Sequence, residues 1–267
     1  MLRKTFAVVA LTVMVATRQS PASAVAAQTA RDICGAAPVQ PLQSEPPAKL
    51  VIDPPLADPL KLGRVVIQYR TENLHTVPVF GDAAVAISPR IGHLHLSVDD
   101  LPWVWMSASG EAVTLNGLPP GSHKVTFHLE TANHHQLDEG SVSFEVPTTG
   151  GAYPANVPQS TAEPPAKIII DAPLAEPLSR GVVFIQYRTA NLQLAPVFGV
   201  AALGVFPRVG HIHVTVDDAP WHWEDASGGP VIVNGLARGP HKILIQLVNA
   251  NHQPIDEGTV SVTVPKK

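Results

Sequence analysis

Gly92-His93-Leu94-His95-Leu96-Ser97-Val98-Asp99-Asp100-Leu101-Pro102-Trp103-Val104-Trp105 returns 118 positions later as Gly210-His211-Ile212-His213-Val214-Thr215-Val216-Asp217-Asp218-Ala219-Pro220-Trp221-His222-Trp223. Around this segment, residues 45–147 align with 163–265 without a gap, and 59 of the 103 positions are identical. Such similarity requires one fold for both copies. Two copies are too few for a solenoid, so the chain reads as a tandem pair of self-contained domains.

Within each copy the apolar pattern has period two, the spacing of a half-buried strand. Leu94, Leu96 and Val98 share one face of a strand over His93 to Asp99. Leu50 to Ile52, Arg64 to Thr71, Val113 to Leu115, His123 to Glu130 and Ser141 to Val146 read as further strands, with a weaker one in Val77 to Ile87. No window carries a sustained helical stripe, and 27 prolines and 19 glycines suit short strands joined by turns. About seven strands per copy is the count of an immunoglobulin-like sandwich. The expected class is therefore all-β: two tandem immunoglobulin-like β-sandwich domains joined by a short linker. Leu118-Pro119-Pro120-Gly121-Ser122-His123, repeated as Leu236 to His241, matches the turn that enters the penultimate strand of such folds. Histidine stands there in the place of the tyrosine that ties the corner.

The flanks set the compartment. Residues 1–24 have the layout of a signal peptide: Arg3-Lys4, an apolar run from Phe6 to Ala16, and the Ala22-Ser23-Ala24 cleavage site. Residues 25–44 form a flexible Ala-, Gln- and Pro-rich lead-in, and 148–162 a Gly- and Pro-containing linker between repeat 1 (45–147) and repeat 2 (163–267). Cys34 is the only cysteine, so no internal disulfide is available to either copy. No stretch beyond the leader is long enough in apolar residues to span a bilayer. Net charge is −4, and without residues 1–24 the chain has 15 basic against 22 acidic residues. It lacks the basic footprint of a nucleic-acid or anionic-membrane binder. A periplasmic or secreted protein is expected.

Three groups carry candidate chemistry. His93 and His95 share a strand face about 6.7 Å apart, close enough to converge on one ion. If their strand lies antiparallel to His123–Glu130, the loop Ala132-Asn133-His134 falls beside His93. This predicts a metal cluster of His93, His95 and His134, repeated as His211, His213 and His252, on the outer face of each sheet. Imidazole suits copper or zinc. The competing reading is histidines used only at the surface or in hydrogen bonds. Retention between copies does not decide: four of eight histidine positions keep histidine in both, which is the background identity. His128 faces the same way but is Gln246 in the second copy. His123 and His241 read as structural corners. Trp103, Trp105, Trp221 and Trp223 form either a ligand-stacking platform or part of the core. Asp99-Asp100 and Asp217-Asp218 point to opposite faces and precede x-Pro, so they read as turn residues. No hydrolase elbow, phosphate loop, dinucleotide fingerprint or H-E-x-x-H motif is present.

The motifs G-H-x-H-x-x-V-D-D-x-P-W and N-G-L-x-x-G-x-H-K, followed by a terminal hairpin, resemble those of a family of uncharacterised exported bacterial proteins. The resemblance implies an exported β domain and no established activity, so it lends no function. On the residues, the expected function is a binding protein holding copper or zinc, without catalysis. The alternatives are a recognition module for an envelope glycan or protein, working through the Trp-containing loop, and a small metalloenzyme.

Overall fold

A computed structural model describes residues 45–86, 90–148 and 164–266. The expected leader, the lead-in with Cys34, and the linker from 149 onward lie outside the described residues.

The chain is all-β, with one strand series per copy. In the first copy these are β1 (Lys49–Ile52), β2 (Arg64–Ile67), β3 (Tyr69–Glu72), β4 (His75–Thr76), β5 (Ile91–Val98), β6 (Val104–Ser107), β7 (Val113–Asn116), β8 (Gly121–Thr131) and β9 (Gln136–Val146). The second copy repeats them as β10 (Lys167–Ile170), β11 (Val182–Ile185), β12 (Tyr187–Ala190), β13 (Gln193–Leu194), β14 (Val209–Val216), β15 (His222–Asp225), β16 (Val231–Asn234), β17 (Gly239–Asn249) and β18 (Pro254–Val264). A five-residue helix follows the first strand of each copy: α1 (Ala57–Lys61) and α2 (Ala175–Ser179). None of these helices is long and apolar enough to cross a membrane.

Three local expectations change. The strand expected over Arg64–Thr71 breaks at Gln68 into β2 and β3. Of the weaker strand expected over Val77 to Ile87, the described part, Val77–Ala86, is not a strand: Pro78 and Gly81 interrupt it, and a 3-10 helix spans Asp82–Ala86. The Trp-containing segment, by contrast, forms β6 and β15.

The larger difference lies in how the copies meet. One seven-stranded sheet runs β11-β16-β6-β5-β8-β9, with β4 beside β5. The other runs β18-β17-β14-β15-β7-β2, with β13 beside β14. Each sheet therefore contains strands from both copies. The joins are β6 against β16 (Trp105↔Val233) and β15 against β7 (Trp223↔Leu115). Residues 108–112 carry the first copy from one sheet to the other, and 226–230 do the same for the second. The copies share one apolar cluster that includes Leu94, Leu96, Phe127, Ile212, Val214 and Ile245. The physical reason is edge pairing. Without its partner, β6 exposes a row of unpaired backbone groups beside Trp105, and such an edge is a template for another strand. The second copy, held in the same chain, supplies it.

The tryptophans seal this join. Trp103 stacks on Trp221 at 5.9 Å and 8°, and Trp105 on Trp223 at 5.4 Å and 18°. All four are buried. As a ligand platform they are corrected to core: their faces are covered by one another, and stacking of this kind adds about 0.5–1.5 kcal/mol per pair beyond area burial. The turns over them need glycine. Gly117 has φ +79°, and a Cβ there would lie 2.4 Å from the Pro220 carbonyl oxygen of the other copy.

Candidate metal centre

The alternation expected for β5 holds. Leu94, Leu96 and Val98 enter the core, and His93 and His95 take the opposite face. Pairing with β8 is antiparallel and sets His93 opposite Glu130 and His95 opposite His128. The turn after β8 then returns His134 over the start of β5. Gly92 allows this close approach: a Cβ would sit 2.1 Å from the Glu130 carbonyl oxygen, and one on Gly210 the same distance from that of Val248. His134 and His252 have φ of +64° and +60°, a conformation that favours glycine or asparagine. Both turns nevertheless hold histidine.

The side chains converge. His93 Nε2 lies 3.2 Å from His95 Nε2 and 3.2 Å from His134 Nδ1, which is 3.3 Å from His95 Nε2. In the second copy the corresponding separations among His211 Nε2, His213 Nε2 and His252 Nδ1 are 3.1, 3.2 and 3.4 Å. Protons cannot satisfy such a triangle. Whatever tautomers are chosen, one edge sets two N–H groups or two lone pairs face to face. A cation satisfies all three at once. Nitrogens held 2.0–2.1 Å from a tetrahedral ion lie about 3.3–3.4 Å apart, matching these edges.

Each triad has one carboxylate, which sequence reasoning missed. The clusters are His93, His95, His134 with Glu130, and His211, His213, His252 with Glu224. The two glutamates are not equivalent in the repeat. Glu130 aligns with Val248, and Glu224 with Met106. Position-by-position comparison therefore conceals them. The available signal was face parity: Glu130 lies two residues beyond His128 on the outward face of β8.

Their geometries differ as well. Glu224 Oε1 is 3.0 Å from His252 Nδ1 and 3.7 Å from His213 Nε2, with Oε2 3.7 Å from His211 Nε2. This carboxylate caps the nitrogen triangle. Glu130 Oε1 is 3.1 Å from His95 Nδ1, the outer ring nitrogen, and Oε2 is 3.5 Å from His134 Nδ1. A carboxylate on the outer nitrogen fixes the tautomer that leaves Nε2 free to ligate. Oε2 of both glutamates is buried without a hydrogen-bond partner among the described residues.

Four of the histidines, His93, His95, His211 and His213, are buried rather than on the surface where the sequence suggested, while His134 is exposed. His93 and His211 are fully buried. Phe80 packs edge-on against His93 at 5.1 Å, and Phe198 against His211 at 5.0 Å. The other copy closes the outer wall. The first centre opens on a cleft of about 1210 Å3 whose far side carries Glu176, Arg180, Val182 and Asn234. The second faces about 290 Å3 lined by Leu56, Pro59, Arg64 and Val66. Asn116 of the first copy donates from Nδ2 to Glu224 Oε1 of the second. Burial, then the charges of His95 and His134, pushes His93 down to about 3. Burial also pulls His95 to about 4 against the raising effect of Glu130, and holds His211 and His213 well below the usual histidine range. These four rings are thus neutral at neutral pH, with lone pairs available.

Other candidates fall elsewhere. His128 Nδ1 lies 3.2 Å from Gln136 Oε1 and 3.6 Å from Glu139, outside the triad. His222, a valine in the first copy, stacks on His213 at 4.1 Å. His123 ties the corner: Nδ1 donates to Asp99 at 3.0 Å and Nε2 to the Pro119 carbonyl at 2.8 Å. His241 does the same with Asp217 and Ala237 at 2.6 and 2.7 Å. Asp99 and Asp217 are turn residues with positive φ, and each also accepts the backbone N–H of Lys124 or Lys242.

Residues 5–156 and 148–267 each match a family of unknown function, DUF6130, and the chain belongs to that family. No curated protein matches it.

Proposed function

Since the family is one of unknown function, we propose from the geometry that this is an exported binding protein for two transition-metal ions, copper or zinc. His93, His95 and His134 with Glu130 hold one ion, and His211, His213 and His252 with Glu224 hold the other. The observation that carries this reading is the nitrogen triangle with edges of 3.1–3.4 Å, built twice. The unpartnered oxygens of Glu130 and Glu224 support it, because a cation is the partner they lack. So does the relocation of the carboxylate. The copies placed it on different strands, yet each triad has one, which common ancestry alone does not require. When bound, such an ion supplies a Lewis-acidic, positively charged centre. The chain's own residues orient the imidazoles, and burial keeps the rings of the two H-x-H pairs unprotonated. Export rests on the leader-like residues 1–24.

The test is metal loading of chelator-stripped protein. Two equivalents of zinc or copper per chain are expected, one in His95→Ala or His213→Ala, and none in the double variant. Site-specific binding should raise stability by about 2.7 kcal/mol at a hundredfold excess over Kd. Failure to bind stoichiometrically at neutral pH, or unchanged binding in the double variant, would sink the reading.

A further inference from the structure

The two centres differ at the position that faces the second histidine of each H-x-H pair. Met106 stands opposite His95 in the β5–β6 register, and Glu224 opposite His213 in the β14–β15 register. Directly opposed residues share a sheet face, with Cβ atoms about 4.5–5.5 Å apart. Trp105 and Trp223 take the core face, so Met106 and Glu224 take the histidine face. Met106 accordingly lines the same cleft as His95, Glu130 and His134. At the strand position from which Glu224 caps the second triangle, the first copy carries the Met106 thioether. The first centre's own carboxylate does not cap the triangle in this way: it divides between the outer nitrogen of His95 at 3.1 Å and His134 Nδ1 at 3.5 Å. Exposure differs too: the His134 side chain is 48% exposed, and that of His252 is 7%.

Resting on the metal-binding reading above, we propose that the copies have diverged in metal preference. The first centre, three imidazoles with the Met106 thioether beside them and Glu130 drawn toward the outer nitrogen of His95, selects copper(I). The second, three imidazoles and the Glu224 carboxylate, selects zinc. Soft thioether donors favour copper(I), and adding a hard carboxylate oxygen to imidazoles suits zinc. The exposure difference adds that the copper ion exchanges with solvent partners and the zinc ion is retained. The structure thus assigns the protein one exchangeable copper and one held zinc.

The test uses the full chain, stripped of metal and offered copper(I) and zinc together under reducing, anaerobic conditions. One copper and one zinc per chain are expected, with copper lost in His95→Ala and zinc lost in His213→Ala. Copper X-ray absorption should contain a sulfur scatterer that disappears in Met106→Leu, a substitution of similar volume. That variant should lose at least about tenfold in copper(I) affinity against a competing chelator while keeping its zinc. Glu224→Met should draw copper into the second centre. Mixed loading without preference, no sulfur scatterer, or unchanged copper affinity in Met106→Leu overturns the divergence and leaves metal binding standing. No stoichiometric metal of either kind overturns the metal reading itself.

Discussion

At the scale of single residues, histidine serves two opposite electrostatic purposes here. In the centres, burial keeps His93 and His95 neutral down to about 3 and about 4. An unfolded chain takes up these protons below about 6.5. Metal-free protein should therefore lose stability as pH falls from about 6.5 toward 4, because the unfolded state then binds more protons than the folded one. At the corners the sign reverses. Burial pulls the His123 and His241 values down, but His123 is raised overall by the Pro119 carbonyl and Asp99, and His241 by Asp217 and the Ala237 carbonyl. Both ring nitrogens face acceptors, so the doubly protonated ring fits best. That contribution is present in full below about 6.5 and fades as pH rises through the raised folded value. Urea midpoints of the metal-free protein across the range should show both limbs. His123→Gln with His241→Gln should flatten the alkaline limb only; a flat acid limb in the parent would refute the burial argument.

The element scale explains why the centres assemble at all. β5 and β14 bring the H-x-H pair, the turns after β8 and β17 return the third histidine, and a neighbouring strand adds the carboxylate. The glycine before H-x-H sets the spacing, so Gly92→Ala should destabilise the protein by about 1–3 kcal/mol or more and weaken metal binding at the first centre ahead of the second. The joins between copies are also functional elements. Asn116 on β7 of the first copy holds Glu224 of the second. Asn116→Ala is expected to weaken metal at the second centre by about 10–100-fold and to leave the first unchanged, read by titration of single-centre variants. Trp105→Ala, which empties a stacked position in the shared core, should cost about 3–5 kcal/mol by denaturant unfolding. A smaller loss would mean that the Trp stack is dispensable to the join.

For the whole molecule, the interleaving makes one body of what reads as two. Cleavage between residues 148 and 164 should leave the halves together on native gel filtration, separable only by unfolding. Residues 45–147 produced alone should self-associate, β6 of one copy pairing with β7 of another, and a monodisperse, folded monomer would contradict the strand exchange. By itself the sequence determined the repeat, the all-β class, the faces of β5 and β8, the corner histidines and the meeting of His93, His95 and His134. These follow from period-two alternation and antiparallel order, which are local rules. Only the tertiary structure decided the carboxylates, the depth of the centres and the place of the tryptophans. Alternation tells which face a side chain takes but not which strand lies beside it. Strand neighbours are chosen by unpaired edges and by the area two copies bury together, and neither quantity is written in any one stretch of chain.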